Sequence, residues 1–204
     1  MASSIIHICV ANEINKKIKK DTKRLLIGSI APDISKQVGE SRSKSHFYVD
    51  NYTNHLKFLD KYERYLNDDF VLGYYIHLYT DYLWEKYFIT ELGTKNLIKK
   101  LNGDIVKCNG EMYRLYIYSD YTSLNSQIID EYELNLAIFY EDIPQIDNII
   151  EEIPMDKINV IIEKMGIIIA NSKPRKEFVF DLAAVKKFID LSVDIITSDI
   201  NNRI

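Results

Sequence analysis

A chain of 204 residues, 47% hydrophobic and 27% charged, is long enough for one well-buried domain and marginal for two. Its formal net charge of −4 gives no global case for nucleic-acid binding, and its two distant cysteines, Cys9 and Cys108, give no disulfide framework. No apolar run approaches the ~20 residues of a membrane span.

The charge is unevenly spread. Residues 1–60 hold ten Lys/Arg against six Asp/Glu, and residues 120–160 hold ten Asp/Glu against one Lys. The basic cluster from Lys16 to Arg24 reads first as a solvated helix face, and second as a surface for phosphate or lipid. The start Met-Ala-Ser-Ser has no basic stretch leading into a long apolar core. No signal peptide is therefore expected, and the expected compartment is the cytoplasm with reduced thiols.

In chain order, Ser3 or Ser4 can cap a first helix carrying His7, Val10, Ala11 and Ile14. Ala31-Pro32-Asp33 interrupts the next helical pattern, because the residue before proline is pushed towards extended geometry. Residues 35–45 are polar and read as a loop that His46 ends. Helical spacing resumes over 52–66. Asp68 or Asp69 then caps a long helix to about Phe88, dense in Phe, Tyr and Trp and so expected at the centre of a bundle. Asn109-Gly110, flanked by partly alternating side chains, predicts a small β-hairpin over 104–118. Further helices are expected near 120–132, 143–152, 155–171 and 181–200, the last capped by Asp181. The expected fold is thus one all-α multi-helix bundle over 1–204 with a small inserted hairpin.

All four histidines fall between positions 7 and 77. The sharpest pattern is His77-Leu-Tyr-Thr-Asp81, where i and i+4 share one helix face. A charged Asp81 in a buried helix costs several kcal/mol unless it is paired or metal-bound (~2–7 kcal/mol even for a neutral polar group). With His7, Asp33 and His46 the pair makes five N/O donors, a set that suits zinc and similar ions and lacks the cysteines favoured by structural zinc sites. Taken singly, each has an ordinary alternative: a core histidine, or an aspartate capping a turn. Glu85, one turn beyond Asp81, and Asp120 are weaker donors, readable as an ion-paired residue and a helix cap. His55 has no acidic neighbour at i±4 and reads as structural or as a group behind the ligands.

Ile6-His7, Gly28-Ser-Ile-Ala-Pro-Asp33-Ile, Ser45-His46-Phe47 and Leu72-Gly73-Tyr-Tyr-Ile-His77-Leu-Tyr-Thr-Asp81 resemble the successive motifs of the bacterial zinc-dependent phospholipase C family. That family is all-helical and related in fold to single-strand-specific zinc nucleases. The resemblance covers about residues 5–90. It implies that His7 binds one zinc, that Asp33, His46 and His77 bind another, and that Asp81 bridges them, with Asp33 also accepting a proton from the attacking water. The family's further His-x3-Glu motif has no counterpart after His77, so two zinc ions are expected rather than three. The implied activity is hydrolysis of a phosphodiester or phosphomonoester, on a small molecule or a lipid head group. Two alternatives stand beside it: an HD-like metal phosphohydrolase, whose adjacent His-Asp pair is missing here, and a non-catalytic helical domain with a structural metal.

Overall fold

A computed structural model describes residues 1–90, 93–94 and 97–204. It is a helical bundle with a small β insertion. Helix α1 (Ser4–Ile18) starts where Ser3 Oγ accepts the Ile6 amide, and stops at Lys19 in the left-handed conformation, φ 56°. Helix α2 (Thr22–Gly28) is capped by Asp21, which accepts from the Arg24 amide. A 3-10 turn at Ala31–Asp33 leads into the short helices α3 (Ile34–Gln37) and α4 (Arg42–Ser45). Helix α5 (His55–Tyr62) and helix α6 (Asp69–Leu83) follow, the latter capped by Asp68 on the Phe70 and Val71 amides.

Helix α6 lies at the centre, packed chiefly on α2 and also on α1 and α5. Phe70, Val71, Leu72, Tyr74, Tyr75, Ile76 and Leu78 are all fully buried, which accounts for its apolar character on most sides. Its crossing with α2 is exceptionally close. A Cβ added at Gly28 would stand 2.2 Å from the Phe70 carbonyl oxygen, and one at Gly73 would stand 2.1 Å from that of Leu25. Only residues without a side chain permit this approach. It sets the chain after α2 directly against the next turn of α6.

Beyond Leu83 the helix widens into a π-helical segment, Trp84–Ile89. Trp84 is fully buried among Phe88, Phe180 and Phe188. The remaining helices are α7 (Gly110–Glu131), α8 (Ile158–Asn171) and α9 (Leu182–Asn201), the last capped by Asp181 on the Ala184 amide. Helix α9 packs against α1 and closes the core.

Three short antiparallel strands, β1 (Gly93–Thr94), β2 (Leu97–Lys99) and β3 (Ile105–Lys107), form the insertion. The hairpin expected over 104–118 is therefore present between helices but shifted towards the N-terminus. Its turn uses Asn102-Gly103, with Gly103 at φ 89° and the Asp104 amide donating to Asn102 Oδ1. Asn109 instead caps α7, its Oδ1 accepting from the Glu111 and Met112 amides, so that helix begins about ten residues before the expected 120.

Two other expectations are corrected. Residues 35–45, read as a loop, carry the single helical turns α3 and α4. No helix forms over 143–152. Pro144 lacks an amide hydrogen, and side chains from the first half of the chain bind this segment. The Arg24 guanidinium donates to the Gln145 carbonyl (2.6 Å), the Tyr62 hydroxyl donates to Glu152 (2.6 Å), and the Glu151 amide donates to the Tyr62 hydroxyl (3.1 Å).

The uneven charge is largely satisfied within the molecule. Lys23 pairs with Glu141, and Lys61 pairs with Glu151 and Glu152. In the basic cluster, Lys16 meets Glu13, Lys17 meets Asp194, and Arg24 meets Asp68. Exposed pairs of this kind contribute at most ~1 kcal/mol each, so they orient the surface more than they stabilise it. No helix among the described residues is long and apolar enough to cross a membrane.

Candidate metal centre

Four chain segments deliver five donor side chains to one point. His7 comes from the first turn of α1, Asp33 from the end of the 3-10 turn, and His46 from the residue that ends α4. His77 and Asp81 come from successive turns of α6. His7, His46, His77 and Asp81 have side chains fully shut off from solvent, while Asp33 keeps 13% exposure. Their donor atoms form two overlapping groups able to hold a metal ion: His7, His77 and Asp81, and Asp33, His46 and His77.

The two oxygens of Asp81 face different surroundings. Oδ1 accepts the Ala2 amide (2.8 Å) and lies 3.2 Å from His7 Nε2. Oδ2 has no hydrogen-bond partner, although His77 Nε2 lies 3.6 Å away and His46 Nε2 3.7 Å away.

The tautomers of two imidazoles follow from their outer partners. His77 Nδ1 is 2.8 Å from the Ser29 carbonyl oxygen, which can only accept, so Nδ1 carries the hydrogen and Nε2 presents a lone pair. This contact exists because the Gly28–Gly73 crossing brings the end of α2 against α6. His46 Nδ1 is 2.9 Å from Ser45 Oγ, whose own hydrogen goes to the Arg42 carbonyl, so His46 Nε2 also presents a lone pair. The two Nε2 atoms face each other at 3.2 Å. Arg42 Nη2 already reaches the His46 lone pair, and an ion seated between the rings would be met by both.

The spacings fit such a cation. Donors about 2.0–2.1 Å from a tetrahedral ion stand roughly 3.3–3.4 Å from one another. The His46–His77, His46–Asp33, His77–Asp81 and His46–Asp81 separations are 3.2, 3.6, 3.6 and 3.7 Å. Carbonyl and hydroxyl groups behind the imidazoles are the outer partners that metal-binding histidines commonly have.

The electrostatics agree. Burial, helped by neighbouring His77, pushes the His7 imidazole down to about 4. Burial and then Arg42 hold His46 well below its ordinary value. Burial pushes Asp81 up, but His7, the His77 contact and the chain's amino terminus together outweigh it and hold the carboxyl well below the usual carboxylate range. At Asp33 burial is likewise outweighed, chiefly by Arg42. Near neutral pH His7 and His46 are therefore neutral, and Asp33 and Asp81 are carboxylates.

Arg42 is the member that sequence reasoning missed. Its Nη2 lies 2.7 Å from Asp33 Oδ1 and 3.6 Å from Asp81 Oδ2, and it contacts His46 Nε2. The i, i+4 spacing to His46 was the available signal, hidden by the polar Ser-Arg-Ser-Lys-Ser run around it.

The weaker candidates lie elsewhere or play other parts. Glu85 accepts the Thr53 amide (3.0 Å), and burial followed by the nearby Asp81 charge raises its pKa. Asp120 sits inside α7 and accepts the amides of Phe178, Val179 and Phe180 at 2.8, 2.7 and 3.2 Å, so it anchors that strap. His55 stacks on Tyr79 with ring centroids 3.8 Å apart. None of the three belongs to the two donor groups.

Comparison with protein-family models, with curated proteins and with solved structures returned no match, so the centre's own chemistry carries the functional reading.

Proposed function

We propose that this chain is a metal-dependent phosphoester hydrolase resembling the bacterial zinc-dependent phospholipases C. In this reading His7 and Asp81 would hold one zinc, and Asp33, His46, His77 and Asp81 would hold a second. The observation that carries the reading is the divided carboxylate of Asp81, one oxygen turned to His7 and the other to His46 and His77. That division suits a bridging ligand. Two divalent ions held there would supply a clamp for phosphoryl oxygens and would acidify bound water.

The protein's own groups do the rest. The Ser29 carbonyl and Ser45 hydroxyl fix the His77 and His46 rings with their lone pairs inward. Asp33 is charged and stands at the solvent side of the centre, where a carboxylate can take a proton from attacking water. The substrate class is a phosphodiester or phosphomonoester, small or carried on a lipid head group.

The test is metal analysis of the full chain, followed by assay of chromogenic phosphomonoesters and phosphodiesters with and without chelator. His77→Ala and Asp81→Asn are expected to lose metal and activity together. Ser45→Ala, which removes the hydroxyl behind His46 together with its bond to the Arg42 carbonyl, is expected to weaken metal binding by roughly 10–100-fold. Full metal content in both the His77 and Asp81 variants would overturn the ligand set.

A second reading, a structural ion without catalysis, is favoured by the depth of the centre, since four of the five donor side chains have no exposed surface. It predicts that chelation lowers the melting temperature while no phosphoester in the screen is turned over.

A further inference from the structure

Arg42 places a fixed positive charge where a metal ion would be ligated. Its Nη2 approaches Asp33 Oδ1, His46 Nε2 and Asp81 Oδ2, three of the donor atoms of the proposed second ion. An ion held by Asp33 and His46 at about 2.0–2.2 Å would lie in contact with Nη2. It would also compete for the lone pairs that the guanidinium now engages. Two cations cannot share that seat. Their repulsion at such separations in a partly dry interior far exceeds thermal energy.

We propose that Arg42 is a resident counter-cation, exchanged for metal during loading, which makes the Asp33/His46/His77/Asp81 seat weaker and more selective than its ligands alone would be. The inference rests on the metal-site reading above.

Three observations support an exchangeable guanidinium. Arg42 begins a helix of only four residues, so few backbone hydrogen bonds fix its position. Arg42 and Asp33 are the partly exposed members of the cluster, at 14% and 13%, so the guanidinium has an exit towards solvent that the buried imidazoles lack. Its Nε has no hydrogen-bond partner, so one end of the planar head is not fastened. The arrangement also explains how two carboxylates coexist at the core without metal. Asp33 and Asp81 are each within ion-pair distance of the same nitrogen. A divalent ion entering the second seat takes over that neutralisation, and the guanidinium leaves.

The test is a zinc titration of metal-free full-length protein against a competing chromogenic chelator. It compares the natural chain with Arg42→Gln, which removes the charge, and with Arg42→Lys, which keeps it. Removing the charge is expected to tighten the weaker zinc equivalent by about tenfold or more. The His7-side equivalent should change far less, and Arg42→Lys should stay near the natural chain. In thermal melts, Arg42→Gln should lose stability without zinc and regain it at saturating zinc. If Arg42→Gln folds only with metal, zinc release into excess chelator replaces the titration, and slower release than from the natural chain is expected.

Unchanged or weakened zinc binding in Arg42→Gln would show that Arg42 merely supports Asp33, and would overturn the exchange. Failure of all three proteins to bind zinc would instead overturn the metal-site reading itself, so the two failures are distinguishable.

Discussion

His55 separates burial from metal chemistry at the scale of single residues. Burial pushes its imidazole down to about 4, and its Nδ1 has no hydrogen-bond partner. The folded state therefore resists a proton that the unfolded chain accepts near 6.5. The stability this confers is complete above about pH 6.5 and is lost as pH falls towards about 4. The shift corresponds to roughly 3–4 kcal/mol across that window. His55→Phe keeps the ring stack on Tyr79 and removes the titration. Its urea midpoint is expected to fall less steeply between pH 6.5 and pH 4 than that of the natural chain, and parallel loss in both would refute the account. His77 and Asp81 are legible in sequence because they lie at i, i+4 on an apolar helix, where a buried charge demands a partner, whereas His7, Asp33 and His46 join them through the ordered motifs of the resemblance. Arg42 is not legible as part of the centre, because an arginine in a serine-rich polar run resembles any surface residue. What draws it inward is Asp33, brought close by the 3-10 turn.

Among the elements, the α2–α6 crossing does the most to assemble the centre. Gly28 and Gly73 let two backbones approach until the Ser29 carbonyl reaches His77 Nδ1. Gly73→Ala would drive a methyl group into the Leu25 carbonyl, a backbone atom that cannot rotate away. The expected cost is about 2–3 kcal/mol, read from urea melts, with weaker zinc binding because the His77 ring loses its fixed position. Gly110→Ala is the matching control. Nothing stands within 4 Å of its added Cβ, and it lies in the first turn of α7, so the change should be neutral or stabilising by up to ~1 kcal/mol. Equal effects at the two positions would sink the close-crossing account. The glycines themselves are visible in the sequence, but which helices they join is not. The same limit governs the hairpin. Two Asn-Gly dipeptides lie seven residues apart, with equal local claims to the turn. The choice is made by Asn109 capping α7, with Asn102 left to bend β2 into β3. The absent helix over 143–152 has a tertiary cause as well, since Arg24 and Tyr62 bind that backbone from a distance in sequence.

For the whole molecule, the centre ties together segments running from α1 to α6, whereas α8 lies outside it. That helix buries chiefly Ile161 and Met165 and contributes no donor. An ion that binds only the folded arrangement stabilises it by mass action, about 2.7 kcal/mol at a free concentration one hundred times its dissociation constant. The gain should fall where the ligands are. Zinc added to metal-free protein is therefore expected to slow amide exchange in α1, in residues 31–46 and in α6. Exchange in α8 should slow much less, because local opening there breaks no contact to the ion. Chelation should reverse the pattern and lower the melting temperature. Hydrogen exchange followed by mass spectrometry resolves these segments. Equal protection in α6 and α8 would mean that zinc acts on global stability without a local tie through His7, Asp33, His46, His77 and Asp81. Absence of any change would remove the ion from the fold's energetics altogether.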